Sequence, residues 1–187
     1  MTSSASTIEP MGGAVHAELT LRRLELADME QAARVHRAAF DAALPWLAGL
    51  HTADQDRWFY RERMFVNCAL WGAFAAADMI GVIAFREGWI DQLYVLPAAQ
   101  GRGAGSALLQ VAKGSLDRLQ LFTFQRNARA RRFYEARGFR LVRETDGADN
   151  EENEPDALYL WISGRGIGAS AHVVPSHKAW RGPVGRN

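Results

Sequence analysis

The chain has 187 residues, of which 48% are hydrophobic and 23% charged, a composition typical of one globular domain with its own core. Its formal net charge of +1 argues against a general nucleic-acid binder, because such proteins carry a marked basic excess. Cys68 is the single cysteine, so the chain cannot form an internal disulfide. No apolar run is long enough to span a bilayer, and we therefore expect a cytoplasmic protein without a membrane partner.

Both ends of the chain are predicted to lie outside the folded domain. Residues 1–17 are rich in Ser, Thr, Gly and Ala and have no hydrophobic period, which predicts a flexible arm. Residues 164–187 contain Gly, Pro and basic residues, again without a period, which predicts a basic tail. The folded domain is therefore expected over residues 18–163.

The first part of this domain predicts one strand and two helical regions. Residues 19–26 alternate as in a strand, and Asp28 with Gln31 resembles a capping box at the start of a helix over 29–40. Five residues form the face of this helix that we expect to be buried: Met29, Ala32, Ala33, His36 and Phe40. A second helical region over 44–65 is rich in aromatic residues and is interrupted near its glycine.

Strands dominate the rest of the domain. A hairpin around Asp78 and a strand that stops at Pro97 come first. After a glycine-rich loop and a helix, residues 119–125 read as a strand and residues 128–138 as a helix. Two last strands flank an acidic segment, residues 146–156. The order β-α-α-β-β-β-α-β-α-β-β predicts a mixed α/β fold.

The glycine-rich loop lies in residues 97–110, PAAQGRGAGSALLQ, with glycines at 101, 103 and 105. Each glycine costs about 0.5–1 kcal/mol relative to alanine in a helix or strand, so this run predicts a turn. Either it is only a tight turn, or its backbone N–H groups approach an anion at the start of the next helix. The dinucleotide fingerprint does not fit, because the third glycine would fall at Ser106.

Three features after the strand that stops at Pro97 resemble one known family. The run that starts at Gln100 reads Q-x-x-G-x-G, Asn127 ends the next strand, and Tyr134 follows it by seven residues. The helix itself reads N-A-R-A-R-R-F-Y-E-A-R-G-F. Over about residues 19–163, the chain resembles the GNAT superfamily of N-acetyltransferases.

The resemblance implies a GNAT-like acyl-CoA N-acyltransferase fold, with a twisted mixed sheet of six or seven strands flanked by helices. It implies acetyl-CoA as cosubstrate, no metal, and a pantetheine arm lying between two strands, 89–95 and 119–125, that splay apart. The residues expected to bind acetyl-CoA come from the first of these strands, the loop and the end of the second: Leu93, Tyr94, Val95, Gln100, Gly101, Arg102, Gly103, Ala104, Gly105, Ser106 and Asn127.

The same resemblance suggests two catalytic residues. Tyr134 would donate a hydrogen bond to the leaving thiolate; the alternative is a half-buried helix residue with its hydroxyl at the surface. Asp91 is our candidate general base, because Phe122 stands where some relatives carry a glutamate. By strand alternation four side chains would share one face: Trp89, Asp91, Leu93 and Val95. Asp91 could equally hold a substrate ammonium or a backbone group, or a chain of waters could replace the base.

The resemblance implies a primary amine as the acceptor, and the sequence does not give its identity. Trp46, His51 and Trp58 lie where the family builds its acceptor pocket, although aromatic side chains in helices are more often core. The acidic segment would either steer a cationic amine or form a solvated connection. Two other functions stay open: a non-catalytic CoA-binding module, and a nucleic-acid-binding module, which the balanced charge disfavours. Family members commonly dimerise, so a homodimer is also expected.

Overall fold

A seven-stranded sheet forms the centre of the domain in a computed structural model, which describes residues 18–164. The predicted arm, 1–17, and the predicted tail from residue 165 onward lie outside the described residues. The strands are β1 (Leu19–Arg23), β2 (Ala69–Ala75), β3 (Asp78–Arg86), β4 (Gly88–Val95), β5 (Arg118–Phe124), β6 (Arg140–Glu144) and β7 (Asp156–Ile162). Their order in the sheet is β1-β2-β3-β4-β5-β7-β6. Only β4 and β5 pair in parallel among these strands, so the predicted mixed sheet is confirmed.

The helices lie where the hydrophobic pattern predicts them. They are α1 (Met29–Ala43), α2 (Ala53–Phe59), α3 (Phe65–Asn67), α4 (Ala104–Ser115) and α5 (Ala128–Glu135). The buried face predicted for α1 is confirmed. The second helical region is more broken than predicted, because a π-helical turn, Tyr60–Met64, joins α2 to α3.

The capping box predicted at the start of α1 is wrong. The Asp28 carboxylate does not cap α1. It accepts a hydrogen bond from the Glu25 N–H at 2.8 Å and two from the Arg22 guanidinium at 2.7 Å. These bonds hold a short 3-10 turn, Leu26–Asp28, which also ends β1 earlier than predicted. The cation of Arg22 on the neighbouring strand decides where this carboxylate points.

Two apolar clusters cover opposite faces of the sheet. One packs α4 and α5 against the sheet through buried side chains such as Leu108, Leu119 and Tyr159. The other packs α1 and the helical segment after it against β2 and β3, through Met29 and Tyr60 among others. Strand β4 contributes to both clusters, so its two faces meet different helices.

A buried ion pair joins α1 to α2. The Asp56 carboxylate, only 4% exposed, accepts hydrogen bonds from Arg37 Nε at 2.7 Å and Arg37 Nη2 at 2.6 Å. Arg37 also reaches Asp41 at 3.2 Å. This pair fixes the distance between the two helices and therefore the connection between them, which carries two of the predicted acceptor-site residues.

We expect Asp56→Ala to lower the free energy of unfolding by about 3 kcal/mol, because it leaves the half-buried Arg37 cation without its main partner. The exposed pair of Arg34 with Glu30 provides the control, and Glu30→Ala should cost less than about 0.5 kcal/mol. Urea denaturation of both variants measures the difference. Equal losses in the two variants would contradict a special role for the buried pair.

Candidate functional site

Strands β4 and β5 separate after two residue pairs. The parallel ladder joins Gly88 to Leu119 and Trp89 to Gln120, and no further pair follows, although both strands continue. A cavity of about 100 Å³ lies between the diverging strands. The splay that the resemblance implied is confirmed.

Five of the predicted site residues line this cleft. They are Asp91, Leu93, Tyr94, Asn127 and Tyr134, contributed by β4, by the start of α5 and by α5 itself. Side chains of α1 and of β5 complete the wall. The structure therefore brings the two predicted catalytic residues to the same cavity.

Tyr134 lies on α5 with its side chain buried in the cleft wall. Its ring packs edge-to-face against Phe133 and Phe139, with ring centroids 5.2 and 5.4 Å away. Burial raises the pKa of the Tyr134 phenol above its ordinary value. The hydroxyl therefore stays protonated at neutral pH and serves as a hydrogen-bond donor. The alternative of a half-buried helix residue does not hold, since the residue is only 7% exposed and lines the cleft.

A β-bulge in β4 changes the position predicted for Asp91. Strand β4 pairs with β3 at Ile90 and next at Gln92, so Asp91 is an extra residue in the ladder. The bulge shifts the alternation by one residue, and Ile90 and Leu93 consequently pack in the same apolar cluster. The prediction that Asp91 shares a face with Leu93 and Val95 is therefore wrong.

The Asp91 carboxylate forms an ion pair at the wall of the cleft. Arg86 donates from Nη2 to Asp91 Oδ1 at 3.0 Å, and its Nε lies 2.9 Å from Oδ2. The Cys68 thiol donates to Oδ2 at 3.7 Å, and burial raises the pKa of this thiol to about 12. Both oxygens of the carboxylate thus have a partner, and Cys68 remains a thiol.

The glycine-rich loop connects the end of β4 to α4. Gly101 and Gly103 have φ values of +78° and +94°, which side chains rarely adopt, and Gly103 is the N-cap of α4. A Cβ added at either glycine would meet nothing within 4 Å, so the space beside the loop is open. The Gln100 side chain donates to the Val95 carbonyl at 2.8 Å and fixes the loop to the strand.

The first turn of α4 presents unpaired backbone donors. The Ala107 N–H donates to the Gly103 carbonyl, and the N–H groups before it have no acceptor within the helix. Ala104 is buried, Gly105 and Ser106 are half-buried, and Arg102 is exposed beside them. This is the geometry in which a helix N-terminus binds a phosphate.

Arg137 is a residue of this region that the sequence analysis missed. Its guanidinium donates to the Ser106 hydroxyl from Nε at 3.2 Å and from Nη2 at 2.6 Å. Arg137 could have been found from the sequence, because it stands directly before Gly138 within the motif that resembles the family.

Asn127 has a structural role that is compatible with the predicted one. Its side-chain oxygen accepts from the Ala130 N–H at 3.1 Å and so caps the start of α5. The same residue lines the cleft. The cap orients α5 and, with it, Tyr134.

Of the predicted acceptor residues, His51 contacts the acidic segment, residues 146–156, directly, and Trp46 is linked to it through Arg126. His51 Nε2 lies 3.9 Å from a Glu151 carboxylate oxygen. Trp46 is 42% exposed and stacks under the Arg126 guanidinium, which in turn lies 3.6 Å from a Glu154 oxygen. These contacts bring the α1–α2 connection to the acidic segment beside the cleft.

Trp58 differs from these two residues in its position. It lies on α2 rather than on the α1–α2 connection, and it is 42% exposed. Like Trp46 and His51, it is not among the residues that line the cleft. The helix turns its neighbours Asp56 and Phe59 to the interior instead. The role of Trp58 in binding the acceptor stays a prediction.

The acidic segment is a loop that side-chain hydrogen bonds hold in place. Asp156 accepts hydrogen bonds from the Thr145 hydroxyl at 2.6 Å and from Asn150 Nδ2 at 3.1 Å. Burial raises the pKa of Glu152, and the Glu152 carboxylate contributes, after burial, to a raised pKa of Tyr94 in the cleft wall. The segment thus brings negative charge close to the cleft rather than forming only a solvated connection.

The described residues hold neither a metal-binding group nor a membrane span. Between residues 18 and 164, no three His, Cys, Asp or Glu side chains are grouped so as to hold a metal ion. In the same part of the chain, no helix is long and apolar enough to cross a membrane.

The fold and the cleft together define the class of this protein. A mixed sheet whose parallel central strands splay apart, with a glycine-rich loop at the start of the following helix, is an α/β fold of the acyl-CoA N-acyltransferase type. The sequence model of the acetyltransferase (GNAT) domain matches residues 58–141. In sequence over residues 58–141, and in fold, the chain is similar to the GNAT superfamily of N-acetyltransferases.

Individual relatives agree with this family. Peptidyl-lysine N-acetyltransferase YiaC of Escherichia coli K12 is 31% identical over 103 residues, which are 54% of this chain and 66% of the relative. The match thus spans slightly less than two thirds of the relative's length. The solution structure of apo YjaB from Escherichia coli has a TM-score of 0.65 at 19% identity and covers 78% of this chain and 99% of that one. The PaiA N-acetyltransferase of Thermoplasma acidophilum, in complex with coenzyme A, has a TM-score of 0.58 at 21% identity, with the same coverage.

His36 is a buried titratable group directly behind the cleft. Its ring lies against Tyr94, with centroids 4.4 Å apart, and near Tyr60 at 5.6 Å. Among the described residues, His36 Nδ1 and the Tyr60 hydroxyl have no hydrogen-bond partner. Burial lowers the pKa of His36 from 6.5 to about 4, so the folded protein holds this imidazole neutral.

We expect this lowered pKa to destabilise the protein in mild acid. Between pH 6.5 and 4 the unfolded chain binds a proton at His36 that the folded chain does not, so stability falls as the pH falls. From pH 7 to pH 5 this group alone should remove about 2 kcal/mol. Urea denaturation of wild type and His36→Leu at both pH values isolates the effect. Parallel pH dependence in the two proteins would contradict it.

Proposed function

We propose that this protein transfers the acetyl group of acetyl-CoA to a primary amine by direct attack of the amine on the thioester. The observation that carries this proposal is the separation of β4 and β5 after Trp89, with Tyr134 in the wall and the glycine-rich loop at the end of β4. The match of residues 58–141 to the acetyltransferase (GNAT) domain supports the same reaction.

The cleft and the loop suit the two halves of acetyl-CoA. The backbone of Leu93 to Val95 would bind the pantetheine arm, because the parallel neighbour that should satisfy this edge is missing from the ladder. The N–H groups of Gly103 to Ser106 would bind the pyrophosphate, helped by the helix dipole. The complex of PaiA with coenzyme A, which shares this fold, supports the assignment.

Different groups of the cleft would carry out different parts of the acetyl transfer. Acetyl-CoA supplies a thioester carbonyl; a new C–N bond forms there while the C–S bond breaks. A backbone N–H near Val95 would stabilise the oxyanion. The Tyr134 phenol, held protonated by burial, would give the departing thiolate its proton. The amine loses one proton in the same reaction, and this proton replaces the one that the Tyr134 phenol gives up.

The acceptor of that last proton is the least defined part of the site. Asp91 lines the cleft, but Arg86 and Cys68 occupy its oxygens, which favours a role in orienting the bulge or holding a substrate ammonium. Its use as a base would require the Arg86 contact to loosen, and a chain of waters is the other route.

A cationic amine is the acceptor that the surroundings of the cleft favour. Glu151 and Glu152 lie on the acidic segment, close to His51 and to the wall residue Tyr94. Negative charge in this position raises the local concentration of ammonium groups. The relative YiaC is a peptidyl-lysine N-acetyltransferase, which supports a lysine side chain, although a protein N-terminus or a small amine fits the same chemistry.

A non-catalytic CoA-binding module is the second candidate. The observation in its favour is the ion pair of Asp91 with Arg86, which leaves the cleft without a dedicated base. Such a module would bind CoA and would release no thiol when amines are supplied. No comparable observation among the described residues favours a nucleic-acid-binding module.

We expect CoA and acetyl-CoA, but not NAD, to raise the temperature of unfolding. Ligand at about 100 times its dissociation constant adds about 2.7 kcal/mol, or roughly 5–10 °C for a domain of this size. Gly103→Val should abolish the shift, because its side chain enters the open space beside the loop. Gly114→Val, at the other end of α4, is the control and should keep it. A wild-type protein that CoA does not stabilise would overturn the proposal.

We expect Tyr134→Phe to lower kcat at least about tenfold while leaving the KM for acetyl-CoA unchanged, since the phenol acts on the leaving thiolate. Thiol release with a panel of primary amines measures both constants. Tyr159→Phe is the matched control, because that hydroxyl is bonded to Glu135 and Arg131 and is absent from the cleft lining. An unchanged kcat in Tyr134→Phe would exclude the acid role.

A further inference from the structure

The Arg137 side chain joins the end of α5 to the first turn of α4. Besides its two bonds to the Ser106 hydroxyl, it donates from Nη1 to the Phe133 carbonyl at 2.8 Å. The guanidinium carbon also lies 3.8 Å from the centroid of the Phe133 ring. A planar group held at three nitrogens and on one face has a fixed orientation.

The charges in this contact are unfavourable without an anion. The start of α4 carries the positive end of the helix dipole, and no acidic residue lies in its first turn. Arg137 adds a full positive charge there, while its partners are a hydroxyl and a carbonyl, both neutral. Within residues 18–164, no carboxylate forms an ion pair with Arg137, in contrast to Arg131, which pairs with Glu144. A bound anion would relieve both positive charges at once.

The hydrogen bonds also orient the Ser106 hydroxyl. A hydroxyl oxygen offers two acceptor positions and one donor proton. Arg137 fills the acceptor positions with two N–H groups, so the proton must point away from the guanidinium. Ser115, later in the same helix, instead donates to the Val111 carbonyl one turn back. Ser106 therefore differs in having its proton directed by a cation.

We propose that Arg137 is a positioning residue for the pyrophosphate of acetyl-CoA: it holds the Ser106 hydroxyl as a donor to a phosphate oxygen and adds positive charge at the start of α4. This inference rests on the proposed function and deepens it, because it assigns part of the affinity for CoA to a residue outside the glycine-rich loop. The reacting carbonyl is not involved, so the effect is confined to binding.

Calorimetric titration with CoA tests the coupling between the two residues. Arg137→Met and Ser106→Ala should each raise the Kd about tenfold, as expected when a hydrogen bond to a charged group is lost. The double variant should be hardly weaker than Arg137→Met, because the two residues act as one unit. Arg61→Met, which removes an exposed arginine from the π-helical turn, is the charge-matched control and should leave the Kd unchanged. If the increase in Kd for the double variant equals the product of the two single increases, the residues act independently and the inference is overturned.

A second ligand separates positioning from general damage to the fold. Acetyl-pantetheine lacks the pyrophosphate, so its kcat/KM should be the same in wild type, Arg137→Met and Ser106→Ala. A parallel loss with acetyl-pantetheine and with CoA would show that Arg137 acts only on the fold. If Arg137→Met does not fold, Arg137→Lys keeps the charge without the two-pronged donor and should still weaken CoA binding.

The outcome for wild type distinguishes this inference from the proposed function. If wild type does not bind CoA, the proposed function fails, and the inference fails with it. If wild type binds CoA and Arg137→Met binds it equally well, the inference alone is overturned.

Discussion

The separation of β4 from β5 is the constraint on which the site depends. Hydrogen bonds join these parallel strands at only two residue pairs, and the backbone of β4 beyond Trp89 loses its neighbour on that side. Unpaired backbone groups in a protein interior are costly, so an edge of this kind needs a partner with its own donors and acceptors. The β-bulge at Asp91 lies in the same stretch and bends the strand further from a regular ladder. Asn127 and Tyr134 reach the cleft because β5 continues past the separation before α5 begins.

Two groups of charges flank this cleft on different sides. On the side of α4 and α5, the helix N-terminus, Arg102 and Arg137 form a positive region beside the glycine-rich loop. Where the α1–α2 connection meets the acidic segment, Glu151 and Glu152 bring negative charge close to the wall residue Tyr94. Under the proposed function, the positive region would bind the anionic cosubstrate and the negative charge would attract a cationic acceptor. The near-zero net charge of the chain hides this division.

Local patterns predicted most of the fold and part of the site. The periodicity of apolar residues gave the order of helices and strands, and the spacing of Gln100, Asn127 and Tyr134 indicated the family. The capping interaction of Asp28 was predicted wrongly, because Arg22, on the preceding strand, competes for that carboxylate. The strand face of Asp91 was also predicted wrongly, because the bulge in β4 shifts the alternation by one residue. Both errors concern side-chain directions, which depend on neighbours that a local pattern does not contain.

The sequence by itself determined the elements, the loop conformation and the chemistry available. Gly101 and Gly103 adopt backbone angles that other residues rarely adopt, so their positions in the chain already define the turn. Only the tertiary structure decided which of these groups act together. The bulge that reorients Asp91 arises from its pairing with β3, and Arg137 reaches Ser106 across 31 positions of chain. The reason is physical: propensity and periodicity act over one or two turns, whereas a site is formed by contacts that exist only after the sheet and its helices have packed.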